Sequence, residues 1–234
     1  MPAEKSAKTL IRKPKKPMTA PDLFLQQALE EACQQGHLAA IEQMLDAGAH
    51  INAPTKYGFP SVLHVAAAAN QLGAAALLID RGAWLNHCQD DKNQLTELHR
   101  AIMAHAPQMV ELLLAKGSDA HALAVGGQST LHLCCQSCTR PEDVAILRLL
   151  VDAGVDRDGI DERGRAPLHR LYEMNKDKHE HLQAQTWVMQ ATEIFLQAGA
   201  NVHARLPDGT GLMHLVSDSH SVDVARALLA HGAA

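Results

Sequence analysis

Residues 91–117 read DKNQLTELHRAIMAHAPQMVELLLAKG, and the fold follows from how this stretch repeats. Leu98, Ala101 and Ile102 stand at helical spacing, and Val110, Leu113 and Leu114 repeat the pattern after Pro107, a residue suited to the first turn of a second helix. The stretch is a helix pair. Gly117 supplies the left-handed position that ends the second helix, and the polar run Asp90-Asp91-Lys92-Asn93 makes the turn that enters the unit. Such a pair has two apolar faces and cannot bury both alone, so like units must stack against it.

Copies of the unit run along the chain. A Leu-His pair recurs at Leu63-His64, Leu98-His99, Leu131-His132 and Leu168-His169, with Met213-His214 last. Glycines close the units at Gly48, Gly82, Gly117, Gly154, Gly199 and Gly232. The pairs lie 35, 33, 37 and 45 residues apart and the glycines 34, 35, 37, 45 and 33, so both series stretch at the same two units. The insertions therefore fall between pair and glycine, in the helical part of the third and fourth Leu-His units.

With its period of about 33 residues the chain resembles the ankyrin-repeat family. The family pattern, D-x-x-G-x-T-P-L-H-x-A-A followed by G-H, V-x-x-L-L and G-A-D-V-N, is matched from about Asp22 to Ala234. The resemblance implies an all-α solenoid of helix-turn-helix units joined by β-turn or hairpin fingers. The expected organisation is a basic, disordered tail over 1–20 and a repeat domain over 21–234. Its cap unit spans 22–53, followed by units of about 54–87, 88–122, 123–159, 160–204 and 205–234. In the cap, Leu29-Glu30 replaces Leu-His, and Gln26, Gln27, Glu30, Glu31, Gln34 and Gln35 read as a polar end face. The last helix keeps Val224, Leu228 and Leu229 without polar replacement, so that end is either bare, covered by a dimer contact, or continued by a longer natural chain.

Composition fits this class: 47% of residues are apolar but only 3% aromatic, as expected of helices packed through Ala and Leu. No apolar run approaches the ~18 residues of a membrane span, and the N-terminus lacks the apolar core of a signal peptide. The expected location is intracellular and cytoplasmic, with a nuclear address in Arg12-Lys13-Pro14-Lys15-Lys16 or a secreted effector as alternatives. Five cysteines, an odd number, argue for reduced thiols. Residues 1–16 hold six basic side chains and one acid, leaving 15 basic and 25 acidic for the rest, a net of −10. A solenoid so acidic is a poor general nucleic-acid binder, because phosphate contacts need Lys and Arg.

Apparent catalytic and metal chemistry resolves into structure. Five of the fifteen histidines belong to the repeated pair, and the resemblance implies that this histidine hydrogen-bonds the backbone joining one unit to the next. Cys134 and Cys135 occupy the small-residue positions of Ala66 and Ala67, and no second Cys pair completes a zinc site with Cys138 and His132. In Lys176-Asp177-Lys178-His179-Glu180-His181 the histidines stand about 200° apart on a helix and cannot chelate one ion from one face. That insertion reads as an extended charged helix or helix-turn, or as a projection for a partner with Trp187 and Met189 as apolar anchors. No nucleophile elbow, phosphate loop, dinucleotide motif or H-E-x-x-H is present. No enzymatic activity, cofactor or metal is expected.

The resemblance implies that partners bind the fingers and the first helices. By position the candidates are Tyr57, Phe59, Trp84, Lys92, Arg163 and Arg165 on or beside fingers, with Arg100, Met103, Arg170 and Glu173 on first helices and Trp187 in the insertion. Tyr57, Phe59, Trp84 and Arg100 gather aromatic and Arg residues of the kind that dominate interfaces, Trp84 standing where the family has an aspartate. The other reading of Phe59 and Trp84 is that they tuck against neighbouring turns. The expected function is a non-enzymatic protein–protein interaction module, an adaptor or scaffold. Alternatives are an inhibitory or immunity-type subunit of a particular enzyme or toxin, and a non-catalytic fragment of a larger protein or secreted effector. A monomer is expected, with a weak dimer through the C-terminal unit as the alternative; neither membrane nor general nucleic-acid binding is expected.

Overall fold

The computed structural model describes residues 20–56, 58–88, 93–138, 140–175, 182–218 and 222–233. Tyr57, Lys92, most of the basic tail and the run Lys176–His181 lie outside them. The elements in order are α1 (Ala20–Gln35), α2 (Leu38–Asp46), α3 (Val62–Ala68), α4 (Leu72–Asp80), α5 (Glu97–Met103), α6 (Pro107–Ala115), β1 (Leu123–Ala124), β2 (Gln128–Ser129), α7 (Thr130–Ser137), α8 (Pro141–Asp152), α9 (Pro167–Asn175), α10 (Leu182–Gln197), α11 (Leu212–Asp218) and α12 (Val222–Ala230). Odd-numbered helices pack on one another in one layer and even-numbered helices in a second, and each pair is joined across the layers. Five fingers precede α3, α5, α7, α9 and α11.

Each pair forms for the reasons seen in residues 91–117. Leu98, Ala101, Ile102, Val110 and Leu113 are fully buried, and Pro107 opens α6. Full burial of a leucine contributes about 1.5–3 kcal/mol, so the repeated Leu63, Leu98, Leu131 and Leu168 form the continuous spine of the core. Every second helix ends alike: a glycine at positive φ, then a backbone N–H reaching back five residues, as in Ala83 to the Leu78 carbonyl and Ser118 to that of Leu113. The insertions lengthen second helices, α8 to 12 residues and α10 to 16, against nine in α4 and α6.

The histidines are structural, as the resemblance implied. Nδ1 of His99, His132, His169 and His214 accepts the N–H of the residue three before it, at 3.0, 3.2, 3.2 and 3.2 Å. That leaves the proton on Nε2, and His132 donates it to the Arg165 carbonyl of the next finger at 2.7 Å. One ring thus caps its own helix and ties it to the following unit. Cys134 and Cys135 lie in the core where Ala66 and Ala67 do, and burial pushes both thiols well above their usual value.

The cap departs from its expected polar face. Gln26 and Glu30 are buried at 3% and 2% exposure, Gln26 against the cap's own closing loop and Glu30 against the next unit. Gln26 grips the His50 backbone twice, its amide donating to the carbonyl at 3.1 Å and its oxygen accepting the N–H at 3.0 Å. Glu30, at the histidine position, accepts the Lys56 N–H at 3.1 Å. Glu30 therefore links the cap to its neighbour by an acceptor where His132 uses a donor; Glu31, Gln34 and Gln35 remain exposed.

Candidate partner-binding surface

Fingers stack on one another through their backbones. The Val125 N–H donates to the Asn93 carbonyl at 3.0 Å and the Glu162 N–H to the Gly126 carbonyl at 2.9 Å. β1 and β2 pair antiparallel around Val125-Gly126-Gly127, with Ala124 turned inward and Leu123 and Val125 left 55% and 47% exposed. Ile160, which holds the position of Leu123 in the next finger, is 69% exposed. Leu123 and Ile160 escaped the sequence reading; their signal was recurrence nine residues before His132 and His169.

Among the aromatic candidates the structure brings Phe59 and Arg100 together. The guanidinium, carried on α5, lies 4.8 Å from the ring centroid, a cation–π contact. Phe59 also borders a shallow cavity of about 330 Å³ with Gln34, Val65, Ala68 and Ala69. Trp84 stands elsewhere, 44% exposed and edge-on to His87 at 5.5 Å. Its N–H donates to Asn52 Oδ1 at 2.8 Å, so the backbone, not the indole, makes that inter-unit link.

The charged candidates separate into two groups. Arg165 is only 7% exposed, and its guanidinium binds Asp161 Oδ2 through Nε at 2.9 Å and Nη2 at 2.6 Å, with Nη1 on Glu173 at 3.2 Å. Burial disfavours the Arg165 charge, but the hydrogen bonds and charge of Asp161, joined by Glu173, outweigh it and raise its pKa. Burial likewise works against ionised Asp161 and is overcome by Arg165, so the carboxyl is held below its usual range. Arg165 and Glu173 are thus committed within the chain, a correction to their reading as finger and helix contacts. Arg163 is exposed, and Arg170 Nη2 reaches the neutral Gln136 amide oxygen at 2.7 Å.

Met103 and Met174 extend the apolar surface along the first helices, 48% and 38% exposed. Trp187 lies on α10, half-buried and packed against the core cluster. The outer edge of the second helices carries ion pairs between units instead, Arg81 to Asp46 at 3.1 Å and Lys116 to Asp80 at 2.8 Å.

Stacked helix pairs in two layers, the first helices capped by a repeated histidine and edged with backbone-linked fingers, define a helical repeat solenoid. The family model for ankyrin repeats (three copies) matches residues 29–124 and 98–183, and the chain belongs to the ankyrin-repeat family. It is 26% identical over 207 residues to the mouse B-cell lymphoma 3 protein homolog, covering 73% of this chain and 44% of that protein. It is 28% identical over 221 residues to human ankyrin repeat and SOCS box protein 6, covering 86% of this chain and 50% of the relative. The chain thus spans about half the length of these relatives. Among solved structures it resembles the ankyrin repeat domain of Bcl-3 with a TM-score of 0.70 at 25% identity, covering 88% of this chain and 86% of that one. An ankyrin repeat domain from Acinetobacter baumannii AYE superposes with a TM-score of 0.75 at 23% identity over 88% and 98% of the two chains, a likeness of fold. Among the described residues no helix is long and apolar enough to cross a membrane.

Proposed function

We propose that this chain is a protein-binding adaptor or scaffold whose partner docks on the fingers and the first-helix layer, without catalysis by the chain itself. Ankyrin repeats generally serve as protein-interaction modules. The observation that supports the location is the exposure of Leu123, Val125 and Ile160 on neighbouring fingers, continued by Met103 and Met174 on first helices. The second helices also expose Leu38, Leu72 and Val222 at helix starts and Leu229 near the end of α12, and Leu38 sits 3.4 Å from the Cβ position of Gly73. Apolar side chains exposed on successive fingers, at an edge that stacking cannot cover, are what a partner-binding surface offers.

The test is capture of a stoichiometric partner by wild-type chain, by a finger-side variant (Met103→Asp with Val125→Asp) and by an outer-edge variant (Arg81→Ala with Lys116→Ala), all shown to be folded. The reading expects capture by the wild type and the outer-edge variant only. Retention by the finger-side variant, or loss only in the outer-edge variant, would place the site elsewhere.

A further inference from the structure

We propose that the depression between the third and fourth fingers is a carboxylate pocket, with Arg170 and Arg163 as its cationic walls, that receives an acidic side chain from an extended segment of the partner protein. This deepens the reading above and rests on it. The depression has a volume of about 320 Å³ and is lined by Val125 and Gln128 from one finger, Asp161 and Arg163 from the next, and Arg170 from α9.

Its internal charges are unevenly spent. Asp161 has both oxygens occupied, Oδ1 by the N–H groups of Arg163 and Arg165 at 2.9 and 3.0 Å and Oδ2 by the Arg165 guanidinium. Glu173 also serves Arg165. Neither Arg163 nor Arg170 has a carboxylate ion pair among the described residues. Arg170 is held by Gln136 alone through Nη2, and its Nε is buried with no hydrogen-bond partner among them. A buried donor left unmade is costly, and an arriving carboxylate would pair with the guanidinium where it lines the depression. Burial and then the neighbouring Arg165 charge lower the Arg170 pKa, and the charges of Glu173 and Asp161, whose oxygens already serve Arg165, do not make up the difference. Glu162, the remaining acid of the lining, stays exposed at the rim over Gly127.

The surroundings select among anions. Residues 17–234 carry a net charge of −10, so a polyanion would be repelled by most of the surface it had to cross. A single carboxylate on an otherwise apolar peptide meets only the local cationic walls. Val125, half-exposed at the lip, then offers apolar contact to the residue beside the acid.

The probe is a short peptide with one Glu-Leu step in a Gly/Ser background, against the same peptide carrying Gln-Leu, titrated into the full ¹⁵N-labelled chain. The readout is the arginine Nε–H resonances. The Glu peptide is expected to shift Arg170 saturably with a Kd on the order of 1 mM, with the Gln peptide inert. Arg163→Glu, at an exposed position outside the core, is expected to weaken this roughly fivefold to tenfold. Equal shifts from both peptides, no shift up to about 10 mM, or tighter binding of a uridine oligonucleotide would overturn the proposal. In the capture experiment, a partner held equally by wild type and Arg163→Glu sinks the carboxylate pocket alone. A partner indifferent to Met103→Asp with Val125→Asp sinks the adaptor surface itself, whatever the peptide does.

Discussion

At the scale of the residue, His132 does two jobs that require it to be neutral. His132 accepts at Nδ1 and donates from Nε2, and a proton added to Nδ1 would face the Ser129 N–H. Burial lowers the pKa of His132 below 6.5, against the backbone bond to Arg165 that raises it; burial does the same to His169, against a backbone bond to Ala204. When the folded pKa is the lower one, the unfolded chain binds more protons below 6.5, so stability is present above that pH and is lost as pH falls through it. Each such histidine contributes at most about 1.4 kcal/mol per pH unit to the slope. Urea unfolding between pH of about 7.5 and 5.5 should show stability falling toward acid, and His132→Gln should flatten that fall while costing about 1–3 kcal/mol at neutral pH. An unchanged slope would mean that His132 protonates without penalty. Glu97, raised by its burial, works in the opposite direction above 4.5, which is why the slope is read against the variant. Trp84 gives the contrasting expectation: with its indole half-exposed and its link made by the backbone, Trp84→Ala should cost under about 1 kcal/mol in the same assay.

At the scale of the element, what was legible in the sequence is whatever one residue type decides alone. Glycine ends each second helix because the left-handed position excludes most side chains, and Pro107 starts α6 because its missing N–H is no loss there. What was not legible depends on a partner distant in sequence. Gln26 and Glu30 look like surface residues until the loop at His50 and Lys56 comes back against them, and Arg165 looks like a finger contact until Asp161 and Glu173 close on it. Finger packing shows the same dependence. A Cβ on Gly164, at φ +74°, would sit 2.7 Å from Pro207 Cγ in the next finger, whereas one on Gly48, at φ +98°, meets nothing within 4 Å. Gly48→Ala should therefore cost only the left-handed backbone, about 1–2 kcal/mol. Gly164→Ala should cost a further ~1–3 kcal/mol for the clash. Equal losses in thermal or urea melts would show that the fourth and fifth fingers separate freely.

At the scale of the whole molecule, a solenoid is as strong as its nearest-neighbour junctions, and one class of rung repeats along it. Asn52 Oδ1 accepts the Trp84 N–H at 2.8 Å, Asn86 Oδ1 accepts that of Asp119 at 2.7 Å, and Asp158 Oδ1 accepts that of Asn201 at 2.8 Å. Each acceptor sits four residues after a unit-closing glycine, each donor two residues after the next one. In the third of these places the chain has His121, and the matching donor would be Asp156; no such bond joins them. The longer α8 does not forbid it, since the rung from Asp158 to Asn201 forms across the still longer α10. His121→Asn should therefore restore the rung and stabilise the chain by about 0.5–1.5 kcal/mol. The measurement is the urea midpoint together with the slope of the transition. A higher midpoint with a steeper slope would show that this junction limits how cooperatively the two halves unfold, whereas an unchanged or lower midpoint would mean that the insertion has moved Asp156 beyond reach.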